Sequence, residues 1–423
     1  AKLDLPKLQL DKNKLTGNSL NINTSLLQED ENLTATLQLP AYEMTDNKLQ
    51  SENITATVDL FKAGRTLQGK LNSPLNIDFG SQQIYLPAIV SSISGSHPVL
   101  SGKLTANITG NMQAKLSDQH IKLDLKTKID DSNIVGSFAM NDFAHPVYTF
   151  DIGANTLDLD RYLATDWAKR LQDDALPFDF SALKALNLRG KLRSNEFKFA
   201  KLKTANLYAE IKAEQTSLSI EPLNARLYGG TTSGGISISA GEIPKFTFRQ
   251  KLTGVQLNTL LADIFPGEAR LTGKGNFSMD LNATGESMGA LRKTLGGNAS
   301  LALARGSLAG LNLTEALLAG KSQMGMKDGE RSETAKFAET TSFSELKATF
   351  AITDGKVRTS DFMMKSPLFT SKGEGEIGLD SGQLNFNLNT AIAANLKRAS
   401  NGELAELKGI STPVRVNGAY AAP

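Results

Sequence analysis

The chain has 423 residues and carries 46 Lys and Arg against 44 Asp and Glu, a formal charge of +2. That balance offers no basic field to a nucleic-acid backbone and no acidic tail, so no nucleic-acid partner is expected. With 40% hydrophobic and 21% charged residues the chain is too apolar for disorder, and having no Cys it can form no disulfide, zinc–thiolate site or thiol nucleophile. Three histidines remain, His97, His120 and His145, and two of them precede proline, which leaves little material for a metal site or a catalytic triad. No run approaches the ~20 apolar residues that span a bilayer. The chain begins Ala1-Lys2, with neither signal sequence nor initiator Met, and reads as a mature or excised piece.

Period two dominates from the start. Leu33/Ala35/Leu37/Leu39 and Ile54/Ala56/Val58/Leu60 alternate with polar residues, as a half-buried strand does. Thr16-Gly17-Asn18, Gly80-Ser81 and Ser94-Gly95-Ser96 punctuate these runs as turns. In His120–Asp130 the apolar Ile121, Leu123, Leu125 and Ile129 alternate with Lys122, Asp124, Lys126 and Lys128. A change of pattern near residue 155 divides an upstream antiparallel region, 1–156, from a region 157–423 in which helices interrupt the strands. Helices are expected near 159–171, 181–186, 257–265 and 313–322. The first and last of these are placed as caps or plugs at an end of the sheet. Residues 325–334 are the most polar stretch and read as a loop. Alternation returns at Phe277/Met279/Leu281, Leu346/Ala348/Phe350/Ile352 and Leu384/Phe386/Leu388, with Asp354-Gly355 as a hairpin turn between two such runs. A weak repeat relates 233–248 to 374–388, each a strand, a Gly-containing turn and a second strand.

The motifs that might carry chemistry fail on context. Gly229–Gly235 runs into a strand and lacks the Lys-Ser/Thr of a phosphate loop, and Gly296-Gly297 fails likewise. Asp130-Asp131 and Asp173-Asp174 are adjacent residues, which point to opposite faces of a strand. Asp158, Asp160 and Asp166 lack the Gly and terminal Glu of a calcium loop, and no G-x-S-x-G elbow occurs. No catalytic residue, metal site or cofactor is expected, and an enzyme is not. What remains is the apolar side of the strands. Its candidate lining is Ile121, Leu123, Leu125 and Ile129 upstream, with Ile236, Ile238, Phe277, Met279, Leu281, Phe350, Ile352, Leu384, Phe386 and Leu388 downstream. Periodicity alone leaves two readings open, an ordinary packed core or an apolar groove that holds acyl chains.

From residue 157 onward the sequence resembles the AsmA family. The resemblance rests on Leu157–Leu163 (LDLDRYL), on 176–239 with Leu-Tyr-Gly-Gly at Leu227–Gly230, and on Leu257–Leu261, Leu271–Gly285 and Gly296–Leu313. It continues through Phe343–Leu379 and Pro413–Gly418, whereas 1–156 is similar only in style. The resemblance implies a mainly β protein: a long curved antiparallel sheet, taco-like and groove-forming as in the related TamB and chorein-type bridge proteins, with three or four short helices. It also implies a Gram-negative envelope protein with its bulk in the periplasm, held in the inner membrane by an N-terminal helix not in this chain. The implied ligand is phospholipid or another acyl-chain lipid, and the implied partners are outer-membrane assembly or lipid-acceptor proteins. The competing implication is a non-catalytic scaffold or assembly factor for outer-membrane protein or lipopolysaccharide biogenesis.

Overall fold

A computed structural model describes residues 2–4, 8–17, 19–28, 31–62, 64–96, 102–162, 173–184, 186–264, 271–309, 313, 340–393, 409 and 411–419. The protein is mainly β, 75% strand and 6% helix, with an open mixed sheet not closed into a barrel. It divides into two compact units. Unit one is Ala1–Lys169, Ser181–Ala200 and Ala205–Leu218; unit two is Arg170–Phe180, Lys201–Thr204 and Ser219–Pro423.

Unit one contains β1 (Lys2–Asp4), β2 (Leu8–Asp11), β3 (Lys14–Gly17), β4 (Leu20–Gln28), β5 (Glu31–Leu39), β6 (Tyr42–Thr45), β7 (Lys48–Lys62), β8 (Arg65–Asp78), β9 (Gln83–Ser96), β10 (Leu104–Lys115), β11 (His120–Ile129), β12 (Ser132–Asn141), β13 (Val147–Asp158) and β14 (Asn187–Phe199). β1, β4, β5 and β7 pair in that order, and β2, β3 and β6 form a second run that meets the start of β7. From β7 to β13 each strand pairs antiparallel with the next. Ser94-Gly95-Ser96, expected as a turn, is the end of β9, with Gly95 paired to both Leu67 and Leu104. A second departure from the expected antiparallel meander is β14, which pairs parallel to β13. A parallel partner needs a long crossover to bring the chain back to the same end. Residues 159–186 supply it, including α1 (Leu159–Tyr162) and α2 (Ser181–Lys184). The rest of the helix expected over 159–171 lies outside the described residues.

A line of irregularities crosses unit one. β5 and β6 are separated at Pro40-Ala41, the β7–β8 register slips between Ser51 and Ile54, and the β8–β9 register slips between Asn72 and Asn76, at Pro74. The slip in β9 covers Pro87, and the β9–β10 register slips there too, between Gly110 and Met112. A proline cannot donate to the ladder, so it settles where the ladder is broken. β7 and β9 each carry one extra residue at the slip. That residue reverses the alternation, so Leu49 and Ile54, or Leu86 and Ile89, face the same way despite odd spacing. The hydroxyls of the buried Ser51 and Ser73 donate to Ala41 O at 2.7 Å and to Pro74 O at 2.8 Å there. The buried cluster of unit one, Leu39, Ile54, Leu75, Leu86 and Ile89, gathers along this line.

β15 (Leu202–Glu214) and β16 (Ser217–Leu227) follow. Unit two then runs through β17 (Gly230–Ser239), β18 (Lys245–Gln256), α3 (Leu257–Ile264), β19 (Lys274–Thr284), α4 (Met288–Thr294), β20 (Gly296–Ala309), β21 (Thr340–Thr353), β22 (Lys356–Lys365), β23 (Phe369–Gly378), β24 (Gln383–Ile392) and β25 (Ser411–Ala419). Each strand from β17 to β25 pairs antiparallel with its successor. Both members of the sequence repeat, β17–β18 and β23–β24, are such hairpins. Asp354 and Gly355, at φ 48° and 70°, make the expected tight turn. α3 forms where expected, while α4 escaped the sequence reading although its signals are local. Ser287 caps it, accepting from Ala290 N at 3.3 Å, and Arg292 and Lys293 lie in its last turn. Of the helix expected over 313–322 only Leu313 is described, fully buried in the core of unit two.

Candidate functional site: the apolar faces of the two units

Directly paired residues of neighbouring strands point to the same side, so the registers connect side chains into rows. In unit one a single row runs Leu10, Leu15, Met44, Leu49, Ile77, Ile84, Ala114, Ile121, Met140, Tyr148 and Leu188. It contains no charged residue over eleven strands. Within this row only Ala114 is buried; Leu10 is 72% and Tyr148 37% exposed, and the others are half-buried. Phe138, Leu67 and Ile93 on the same side are also exposed. An apolar side of this extent, left partly open, is the kind of patch that binds something.

The four upstream candidates all lie on this side of β11 and all are half-buried. Ile121 belongs to the eleven-strand row, and Leu123 lies between Met112 and Phe138 and packs against the buried cluster. Leu125 stands between Gly110 and Gly136, and Ile129 between Ala106 and Ser132. The alternating Lys122, Asp124, Lys126 and Lys128 lie on the opposite side. A shallow concavity of about 670 Å³ opens on that polar side, lined by Asp124, Lys126, Ser137, Asp151 and Arg193 among others. Its ionic lining makes it a poor host for hydrocarbon.

In unit two the ten downstream candidates also share one side. Ile236, Phe248, Leu281, Gly297, Ile352, Val357, Ile377, Leu384 and Gly418 form a row across nine strands. Ile352 and Leu388 are buried. Leu388 belongs to the main core with Leu303, Phe343, Leu346, Met364, Phe369, Ile392 and Val414, against which Phe277 and Phe386 pack. Met279 packs on a neighbouring cluster of Leu227, Leu252 and Val255. Ile236, Ile238, Leu281, Phe350 and Leu384 remain half-buried. The side is therefore closed at one end and open further along. Leu257 of α3 and Leu313 join the core at the closed end. Beyond Leu281, at Phe246, Phe178 and Phe180 stack at ring distances of 5.5 and 6.0 Å.

Three features were invisible to periodicity. The Leu-Tyr-Gly-Gly motif is a left-handed turn between β16 and β17, with Tyr228 at φ 45° and Gly229 at φ 77°. The Tyr228 hydroxyl donates to Asp263 Oδ2 on α3 at 2.8 Å and accepts from Lys203 N at 3.2 Å, so the turn anchors the covering helix. Burial is the largest cause that pushes this phenol up to about 12. Second, aromatic rings lie flat over glycines of the adjacent strand: Tyr42 over Gly17, Phe150 over Gly190 and Phe386 over Gly375. A Cβ at these glycines would come within 2.2, 2.3 and 2.4 Å of the ring atoms. Third, Asp361 stitches the irregularity in β22, accepting from Thr349 N at 2.8 Å, Thr349 Oγ1 at 2.8 Å and Thr359 Oγ1 at 3.1 Å. The backbone donor at Thr349 is the largest of the effects that hold its carboxyl below the ordinary aspartate value.

Titratable pairs sit on the polar sides. Arg193 meets Asp151 at 2.5 Å, Arg358 meets Glu376 at 2.6 Å and Lys365 meets Glu345 at 2.7 Å. Exposed pairs of this kind contribute little to stability and make no reactive constellation. Among the described residues no group of three or more His, Asp or Glu could hold a metal ion. His120 is hydrogen-bonded to Asn141 at 2.7 Å and His145 pairs loosely with Asp142 at 3.7 Å. What the apolar sides offer chemically is burial of hydrocarbon, at about 0.8 kcal/mol per methylene fully covered.

The model of the AsmA family matches residues 2–362. The match takes in the upstream strands, which by sequence are similar to the family only in style. No curated protein matches the chain.

Proposed function

The chain belongs to the AsmA family, a family associated with the bacterial envelope, and from that premise we propose that it is a lipid-binding and lipid-transport element of that envelope. It holds the acyl chains of phospholipid against the apolar sides of its sheet, with headgroups left in water. The mechanism is passive and non-catalytic, and no cofactor is consumed. The site of action is the periplasm of a Gram-negative cell, with the full-length protein held in the inner membrane and delivering towards the outer one. The observation that carries the reading is the eleven-strand row in unit one. A folded sheet that only needed a core would cover such a row, because leaving it half-exposed forfeits the burial that stabilises it.

The test is organic extraction of the purified protein followed by mass spectrometry. Phospholipid in stoichiometric amount is the expected result. A lipid-free protein that stays lipid-free after incubation with phospholipid vesicles refutes the proposal, and co-purification with an outer-membrane assembly protein in its place favours a scaffold.

A further inference from the structure

Gln250 occupies an unusual position. It lies in the middle of β18, paired directly with Gly234 on one side and Met279 on the other, and therefore faces the apolar side of unit two. Phe248 and Leu252 flank it along its own strand, and the next strand presents Phe277 and Leu281 beside Met279. It is 6% exposed. Its Oε1 accepts from the Thr232 hydroxyl at 2.7 Å, which fixes the amide, but among the described residues nothing accepts from its Nε2. A buried amide donor left without an acceptor is costly, and an apolar residue of the same size would avoid the cost altogether. A second observation concerns space. Along the row of Gln250, Gly234 and Ala299 are small, and the only large neighbour in direct register is Met279, an unbranched and adaptable side chain. The face is therefore low on both sides of the orphaned donor, and a shift of Met279 uncovers it.

We propose that Gln250 is a subsite for the carbonyl end of an acyl chain: its Nε2 donates to the carbonyl oxygen of a fatty-acyl ester or carboxylate while the hydrocarbon lies along Phe248, Leu281 and Met279. The chemistry follows from the surroundings. The missing partner must be an acceptor, and everything around it rejects a ligand whose remainder is polar. A fatty-acyl carbonyl combines an acceptor with a long apolar body. The inference rests on the reading of the protein as a lipid binder and deepens it by fixing where one ligand's polar end sits.

The experiment measures displacement of a fluorescent fatty acid from the whole chain by three ligands of similar length: oleate, methyl oleate and 1-octadecene, which has no acceptor. Each is titrated against the wild-type protein, Gln250→Leu and Gln250→Met, with a thermal melt of each variant. The wild-type protein is expected to prefer the two carbonyl ligands over the hydrocarbon by about tenfold, the contribution of one hydrogen bond. Tighter binding of oleate identifies the free acid as ligand, and equal or tighter binding of methyl oleate identifies the ester. Both variants are expected to fold, with an unchanged or higher melting temperature, and to lose the preference while keeping the hydrocarbon affinity. A preference that persists in both folded variants overturns the subsite and leaves lipid binding intact. No binding of any ligand to the wild-type protein removes the underlying reading, and the subsite with it.

Discussion

Replacing Ile121 by Lys tests whether the eleven-strand row is an open binding surface or a core. Ile121 is half-buried between Ala114 and Met140. A lysine there keeps its stem on the sheet and reaches water with its ammonium, so the fold should survive. Strands lie ~4.8 Å apart, so an acyl chain laid along the row places about three methylenes over each strand, one side of each buried. At about half of 0.8 kcal/mol per methylene, losing those contacts and meeting a charge weakens binding by roughly 1–2 kcal/mol, about 5- to 30-fold. Met364→Lys is the control. Met364 is 0% exposed inside the core of unit two, and an unpaired ammonium there costs at least about 4 kcal/mol, much of the stability of an ordinary domain. A thermal melt and a fluorescent fatty-acid titration of both variants decide the matter. If Ile121→Lys melts as low as Met364→Lys, the row is sealed core. If it folds and binds lipid like the wild-type protein, the acyl chains lie elsewhere.

Other expectations follow from the contacts that shape the site. Tyr228→Phe removes the hydroxyl that ties the turn to Asp263 on α3, and should lower stability by about 1 kcal/mol in a denaturant titration; no change would mean the anchor is idle. Gly375→Val drives a branched side chain into the Phe386 ring and should cost about 1–3 kcal/mol, part of which the double variant with Phe386→Ala recovers; simple additivity of the two would argue against the flat ring. Hydrogen bonds from Lys347 and Lys365 hold Glu345 down to about 2, and Asp361 is depressed as well. Because both folded values lie below the unfolded ones, their stabilisation is complete above about pH 4.5 and is lost as pH falls towards 2. Melts across that range should show a shallower decline for Glu345→Gln combined with Asp361→Asn than for the wild-type protein, and parallel declines would exclude these carboxylates as the cause.

The side of each strand was legible in sequence because period two maps directly onto it. Ile121, Leu123, Leu125 and Ile129 alternate with charge, and β11 carries them on one face. The turn at Asp354-Gly355 and the stop of α3 before Pro266 are equally local signals. Burial was not legible. Leu384 and Leu388 look alike in the alternating run of β24, yet one is half-buried and the other sits in the core, because what lies above a strand comes from residues far away in the chain. The parallel β14 was hidden for the same reason: pairing direction depends on where a crossover returns the chain. The slips in β7 and β9 stood in the sequence as reversals of phase, at Ser51–Ile54 and Leu86–Ile89, and a reading that follows phase as well as period finds them. Gln250 has no periodic signature beyond being a polar residue where an apolar one belongs.

The row in unit one takes one residue from each strand, and each of those residues touches only its two neighbours in register. Span and breadth are thereby set by separate genetic events. Duplicating a hairpin adds two strands, about 10 Å of floor, without altering a single existing contact inside the sheet. Lengthening strands widens the floor instead and demands a matching change in every neighbour. A lineage could thus tune how far such a protein reaches across a gap between membranes by copying hairpins, while the width that accommodates an acyl chain stays fixed by strands that are hard to change one at a time.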